Sequence, residues 1–422
     1  MGGDIIDELR WRGLIAQTTD EAALRDALAG GPVTFYCGFD PTAASLHVGN
    51  LVQILTARRL QLAGHRPIML VGGATGLIGD PKETGERVLR PAEVVAGWVD
   101  RLRAQIAPLL SNDAATAPVF VNNLDWTSRM SAIELLRDVG KHFSVNRMLD
   151  RQAVAARLAG GGISYTEFSY VLLQANDFLE LFRRHGCTLQ FGGADQWGNM
   201  TAGADLIRRV EGARVHVLST PLLVKADGTK FGKTESGTVW LDASLTSPYA
   251  FYQFWLNTED RDLLSYLKTF SFRSPAQIDE LARQTQVNPA ARAGARALAE
   301  ELTTLVHGPQ AAAAAIAASQ ALFGHGDLAD LDEGTLADAL AELPRVTVCA
   351  PPPPYVQLLA DTGLVPSRSA ARRTVAEGGA WLNNTRVTDP DYVPGPADLL
   401  AGRWLLLRRG RRALAAVEVT PS

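Results

Sequence analysis

Apolar residues in this chain fall into short unbroken runs, separated by longer stretches in which they recur every three or four positions. Val33–Phe39 is the first such run and predicts a strand. Asp40-Pro41-Thr42 ends it, and helical spacing follows from Val48 to about Ala63, closed by Gly64. A second apolar run, Pro67–Val71, leads into Gly72-Gly73-Ala74-Thr75-Gly76. Strand, helix and strand at this spacing predict a βαβ unit and a parallel sheet. Val119–Val121 and Thr188–Phe191 predict two more buried strands. Such a sheet carries its ligand-binding loops at the carboxyl ends of the strands.

From Ser164 the period changes. Ser164 and Glu167 form a capping pair that predicts a helix start. Phe168, Val171, Leu172, Ala175, Leu179 and Phe182 then fall on one face. Tyr170, Gln174 and Asp177 gather on the opposite face beside Leu173 and Leu181, a mixture that suits either a pocket wall or a solvated surface. Pro248 to about Leu322 reads as helical. Four consecutive prolines, Pro351–Pro354, predict a stiff linker, because proline continues neither a helix nor a central strand. Beyond it, Tyr355–Asp361 and Arg368–Glu377 predict two short helices, with Ser367 as N-cap and Gly378-Gly379 as the stop. Ala380–Asn383 and Arg386–Thr388 flank a turn-prone Asn383-Asn384. The expected organisation is α/β: a Rossmann-like parallel-sheet domain over 1–240, a helical domain over 241–325, a linker region over 326–354, and a small α+β domain over 355–422.

Composition adds class and compartment. Hydrophobic residues make up 46% of 422 and charged residues 20%, which is globular rather than disordered. Cys37, Cys187 and Cys349 lack metal-ligand spacing and suit a reducing cytosol, so no metal site is expected. The N-terminus is acidic without a signal-peptide pattern, and the alanine run Ala311–Ala318 reads as a surface helix rather than a membrane span. These readings predict a soluble, cytoplasmic protein with no membrane partner. The net charge of −4 argues against general nucleic-acid binding, yet it is unevenly placed. Nine Arg against six acidic residues give the segment from Tyr355 onward +3, which leaves −7 on the rest. A solvated charged surface and a local nucleic-acid contact both fit that asymmetry.

Two short elements carry candidate chemistry. His47-Val48-Gly49-Asn50 opens the first predicted helix, where unpaired N–H groups, imidazole and amide can meet an anion. Gly49 lets a base or ribose approach the backbone. Taken alone, His47 equally reads as a loop cap. Lys230-Phe231-Gly232-Lys233-Thr234 is a glycine-bearing basic loop whose lysines and hydroxyl could hold departing pyrophosphate. Taken alone, it equally reads as an exposed turn. In this order and separation the two resemble the paired nucleotide motifs of class I aminoacyl-tRNA synthetases. One departure is Asn50, which stands where the tetrad usually ends in a second histidine.

The resemblance sharpens over most of the first 240 residues. Tyr36-Cys-Gly-Phe-Asp-Pro-Thr42, Gly72-Gly-Ala-Thr-Gly-Leu-Ile-Gly-Asp80-Pro, the Gly162–Leu179 segment and Gln190-Phe-Gly-Gly-Ala-Asp195-Gln196-Trp-Gly-Asn199 are similar to the bacterial tyrosyl-tRNA synthetases. The resemblance implies an enzyme that joins L-tyrosine and ATP, with Mg2+ on the triphosphate, into tyrosyl-adenylate, and then loads tRNA(Tyr). It places Tyr36 and Asp177 on the phenol hydroxyl. Asp80, Tyr170 and Gln174 would hold the α-ammonium, with Gln196 near the carboxylate. Gly38 and Asp40 would lie along tyrosine and nucleotide, and Gly193 and Asp195 would hold the ribose. Thr42, His47 and Asn50 would meet the phosphates with Gly49 beside the nucleotide, and Arg87, Lys230, Lys233 and Thr234 would meet pyrophosphate. The run Asp80-Pro-Lys82-Glu-Thr-Gly-Glu-Arg87 reads as one residue shorter than the family loop, which leaves Lys82 without a match.

Tyr355–Thr388 resembles the S4 RNA-binding module, which implies that Arg368, Arg372 and Arg373 face RNA phosphates. The family also implies a homodimer. Two rival readings are a tryptophanyl-tRNA synthetase and an RNA-binding protein on a synthetase body without catalysis. Tyr36 and Asp177 oppose the first; His47, Asp80, Asp195, Lys230 and Lys233 oppose the second.

Overall fold

The computed structural model describes residues 4–82, 85, 88–150, 152–229, 231–234 and 237–421. Arg87 and Lys230 lie outside them, as do the side chains of Lys233 and Thr234. The chain divides into two compact units: residues 1–242 with 259–289, and 243–258 with 290–422.

The first unit is built on six strands: β1 (Gln17–Thr18), β2 (Thr34–Phe39), β3 (Arg66–Val71), β4 (Val119–Asn122), β5 (Leu189–Gly193) and β6 (His216–Thr220). Their order is β1-β6-β5-β2-β3-β4, and only β1 runs antiparallel to its neighbour. From β2 the chain winds outward through β3 and β4, then returns to the other side of β2 for β5 and β6. The reversal between β2 and β5 opens a crevice at their carboxyl ends, where doubly wound sheets bind ligands. All of β5, and all of β3 except Arg66, is buried. Burial on both faces is why these strands read as unbroken apolar runs.

Three helices shape the crevice: α1 (Val48–Leu62), α2 (Tyr165–His185) and α3 (Trp197–Glu211). Ser164 caps α2 by accepting the Glu167 N–H at 3.3 Å, and Gly186 ends it at φ +62°. The Glu167 carboxylate meets buried Arg157 at 2.8 Å. Phe178 and Leu179 of α2 pack with Leu206 of α3, Tyr36, Ile68 and Val217 into one apolar core. Burial wraps almost around α2, including the face of Tyr170 and Asp177.

The expected helical domain 241–325 is not one body. Helix α4 (Pro248–Leu256) belongs to the second unit and packs on α7 (Ala293–Ala321). Helices α5 (Asp260–Phe270) and α6 (Pro275–Val287) belong to the first. The cause is packing: Tyr266 and Phe270 of α5 enclose the Phe231 ring at 5.1 and 5.4 Å. Buried Arg12 and Arg59 also donate to the Ser271 carbonyl at its end, each at 2.8 Å. Periodicity reports a helix, not which core its apolar face joins. The alanine run expected as a surface helix is half buried, with Ala312, Ala315, Ala318 and Ala321 inside α7 contacts. Small side chains let two helix axes approach closely.

The expected linker 326–354 is largely structured. It holds α8 (Glu333–Ala341) and β9 (Arg345–Cys349). Strand β9 pairs parallel to β13 (Ala413–Thr420) at the edge of a sheet ordered β11-β10-β12-β13-β9. The other members are β10 (Ala380–Leu382), β11 (Thr385–Arg386) and β12 (Trp404–Arg409). A five-residue edge strand alternating Val346 and Val348 with polar neighbours is weak in sequence, and the adjacent prolines masked it. Helices α9 (Tyr355–Asp361) and α10 (Arg368–Ala376) match the sequence reading. Asn383 and Asn384, at φ +46° and +65°, make the tight turn between β10 and β11. Among the described residues no helix is long and apolar enough to cross a membrane.

Candidate active site

A cavity of about 600 Å³ opens at the carboxyl ends of β2, β5 and β6. Strand β2 and its end supply Tyr36, Gly38 and Asp40; the next turn and the start of α1 supply Thr42, His47, Gly49 and Asn50. Helix α2 contributes Tyr170, Gln174 and Asp177. Asp80 follows β3, and Gly193, Asp195 and Gln196 close the far side. Fourteen of the expected site residues therefore line one space. Lys233 and Thr234 lie in β7 (Lys233–Thr234), which pairs with β8 (Gly237–Thr238).

The deep end is built around Asp177, which is 2% exposed. Asn123 Nδ2 donates to its Oδ2 at 2.9 Å and Trp126 Nε1 to its Oδ1 at 2.8 Å. Burial pushes this carboxyl up to about 7, against the pull of the two donors. Beside it the Tyr36 hydroxyl is buried without a hydrogen-bond partner among the described residues. Burial, and then the Asp177 charge, hold that phenol well above its ordinary range, so it stays protonated. A neutral hydroxyl and a carboxylate with spare lone pairs suit a ligand hydroxyl that both donates and accepts. Asn123 and Trp126 were missed in sequence. Their signal was position: Asn123 directly follows β4, at the ligand-bearing edge of the sheet.

Midway, Asp40 accepts from the Tyr170 hydroxyl and from Thr75 Oγ1, both at 2.7 Å. Asn123 Nδ2 also donates to Thr75 Oγ1 at 3.0 Å. Asp40 and Asp177 thus belong to one network. Gly72 is required beside it, because a Cβ there would meet Thr75 Oγ1 at 2.1 Å and Asp40 Oδ1 at 2.4 Å. On the other wall Gln196 and Asn199 donate to Asp80 at 2.9 and 3.1 Å. The Gln174 Oε1 is buried with no partner among the described residues.

At the open end His47 is the N-cap of α1. Its Nδ1 accepts the Gly49 N–H at 3.0 Å, and Asn50 Oδ1 accepts the His47 N–H at 3.0 Å. This fixes the imidazole tautomer with the proton on Nε2. It also gives Asn50 a structural task that a histidine would perform differently. The segment after the basic loop returns here: Val48 N–H donates to the Val239 carbonyl at 3.0 Å and Leu241 N–H to the Leu46 carbonyl at 2.8 Å. Ala226 N–H donates to Asp262 at 2.8 Å, so the loop is also moored to α5.

In the second unit, Arg368, Arg372 and Arg373 stand exposed on α10, and Arg372 pairs with Asp391. That helix rests on the small domain's core through Ala371 and Val375.

The fold agrees with comparisons to known proteins. Residues 28–324 match the family of class I tRNA synthetases (W and Y), and residues 335–417 match the tyrosine–tRNA ligase SYY-like C-terminal domain. The chain belongs to the class I aminoacyl-tRNA synthetases. It is 67% identical to a tyrosine–tRNA ligase of Streptomyces coelicolor over 99% of both chains, and 60% identical to one of Thermobifida fusca over 98% and 99%. A solved C-terminally truncated mitochondrial tyrosyl-tRNA synthetase of Aspergillus nidulans superposes with TM-score 0.67 at 29% identity, covering 74% of this chain and 92% of that one. Within its class the chain belongs to the tyrosine–tRNA ligases, enzymes whose substrates are tyrosine, ATP and tRNA. The tryptophanyl and non-catalytic readings are not favoured.

Proposed function

We propose that tyrosine lies in the cavity with its phenol between Tyr36 and Asp177 and its ammonium at Asp80, Tyr170 and Gln174. Its carboxylate points past Gln196 toward the open end. ATP, entering as its magnesium complex, lies with its ribose at Gly193 and Asp195 and its phosphates at Thr42, His47 and Asn50. The tyrosine carboxylate is already anionic, so it attacks the α-phosphorus without a protein base. The remaining task is to align two anions and to meet charge growing on pyrophosphate. His47 donates from Nε2, and Arg87, Lys230, Lys233 and Thr234 complete the set. A ribose hydroxyl of the tRNA end then attacks the adenylate. The observation that carries this reading is the Asp177 cluster, in which Asn123 and Trp126 fix a buried carboxylate opposite the unpartnered Tyr36 hydroxyl. Tyrosine-dependent ATP–pyrophosphate exchange, with phenylalanine as competitor, tests it; equal rates with both amino acids overturn it.

The reading extends to the rest of the molecule. Arg368, Arg372 and Arg373 grip tRNA phosphates away from the reacting end. Ile133, Leu136 and Val145 stand 69, 52 and 58% exposed on the segment after β4, and they form the face covered by a second copy. Sedimentation of Ile133→Glu/Leu136→Glu tests this: monomers are expected, and an unchanged dimer refutes it. The setting proposed is the cytoplasm.

A further inference from the structure

We infer that Trp240 is a positioning residue for His47, an inference that rests on the role proposed above for that imidazole. Trp240 does not line the cavity, whereas His47 does. The two residues face each other across an antiparallel bridge, held by the Val48–Val239 and Leu46–Leu241 backbone bonds on either side. Their rings meet edge to face, with centroids 6.3 Å apart and planes at 63°. That geometry is attractive between aromatic rings.

The imidazole is bounded from a second direction by Gly49. A Cβ at that position would lie 2.8 Å from His47 Cε1 and 2.9 Å from Nδ1, so the ring rests where a side chain would be. The Gly49 N–H fixes which nitrogen bears the proton. Trp240 restricts the swing of the ring about its own axis and away from the helix start. Both constraints are needed for an Nε2–H that meets a phosphate oxygen at one place, because alignment errors near 1 Å cost rate steeply.

The pairing also joins two parts of the site that the sequence presents as separate. Gly232, inside the basic motif, accepts the Val239 N–H at 3.1 Å. A Cβ on Gly232 would lie 2.7 Å from Val48. Gly232 is therefore seated directly on the first turn of α1, and Trp240 stands at the end of the return segment. One short antiparallel contact sets the histidine and the root of the loop together.

The test is ATP–pyrophosphate exchange with tyrosine on the full-length protein, for Trp240→Leu, Trp240→Phe, His47→Ala and the His47→Ala/Trp240→Leu pair. Trp240→Leu is expected to lower kcat about 10-fold with tyrosine KM changed by less than about twofold, whereas Trp240→Phe retains most of the rate. In the His47→Ala background the leucine substitution should change kcat by less than about twofold, since a residue acting through His47 has nothing left to position. An equal loss in both backgrounds, no loss at all, or a rise in tyrosine KM matching the loss of rate would overturn the inference. Full activity of His47→Ala alone would instead remove the role assigned to His47, a failure distinct from that of Trp240.

Discussion

At the end of the cavity proposed for the phenol, Asp177 projects from the middle of a 21-residue helix, and both its oxygens are held by buried donors. At the end proposed for the triphosphate, His47 sits at a helix start beside a loop moored at Asp262, at Phe231 and along 239–241. The first arrangement is rigid before any ligand arrives. The second is an imidazole at a helix start beside an anchored loop. Discrimination needs the rigid kind, because a buried group selects by refusing to be left unpaired. Charge that grows during reaction needs donors that can close on it. Substitutions at the two ends should therefore separate into selectivity effects and rate effects.

The largest effect is expected from Asp177→Ala. In the proposed pose phenylalanine leaves the Tyr36 hydroxyl buried without a partner and Asp177 without the phenol donor, though Asn123 and Trp126 still hold it. A buried polar group that loses its partner costs about 1–3 kcal/mol. Removing Asp177 should reduce the preference for tyrosine over phenylalanine roughly 10- to 100-fold, read as the ratio of kcat/KM values in pyrophosphate exchange. An unchanged ratio would take Asp177 out of its role. At the other end, Phe231→Ala empties the slot between Tyr266 and Phe270. It should lower kcat about 10-fold while tyrosine KM stays near that of the unaltered protein. If KM rose and kcat held, the two ends would not be separable as described.

The second unit gives an outside reference for both. Replacing Arg368, Arg372 and Arg373 by Glu should raise the KM for tRNA roughly 10-fold and flatten its salt dependence. Pyrophosphate exchange should be untouched. A loss of exchange would show that the basic helix serves the fold rather than RNA.

How far the sequence disclosed this architecture follows from the physics of each part. Strands β2, β3 and β5 were legible because burial on both faces leaves unbroken apolar runs. Ser164 and Ser367 marked helix starts because capping is a local interaction. The paired roles proposed for Tyr36 and Asp177 rest on resemblance, since no periodicity relates two residues 141 positions apart on different elements. Asn123, Trp126 and Trp240 were not found. Each acts through another side chain, so its meaning exists only once the chain has folded. Strand β9 was missed because five residues of edge strand beside a proline run carry little signal, and α5 was assigned to the wrong body because helical periodicity names no partner.

The smallest effect tests how firmly the phenol end is set. Asp177 titrates near pH 7, carried there by burial and held from rising further by Asn123 and Trp126. In the proposed pose its carboxylate, not its acid form, accepts the phenol hydrogen bond with charge assistance. Tyrosine affinity should therefore increase as pH rises through about 7 and level off above it. Asn123→Ala removes one donor, so the carboxyl should titrate higher and the increase should move up by about one pH unit. The consequence is a KM a few-fold higher near neutrality that converges on the unaltered value in alkali. Folding stability must follow with the opposite slope. Between the unfolded value near 3.8 and the folded value near 7, the folded chain keeps a proton that the unfolded chain has released. Stability then falls as pH climbs through that window, by at most about 1.4 kcal/mol per pH unit, and Asn123→Ala prolongs the fall to higher pH. Exchange kinetics and urea midpoints measured from about pH 5 to about pH 9 decide the matter together. A shift in both by the same amount assigns the titration to Asp177; a shift in neither means that the buried carboxylate is set by the sheet alone, and that the Asn123 bond to it contributes nothing to selection.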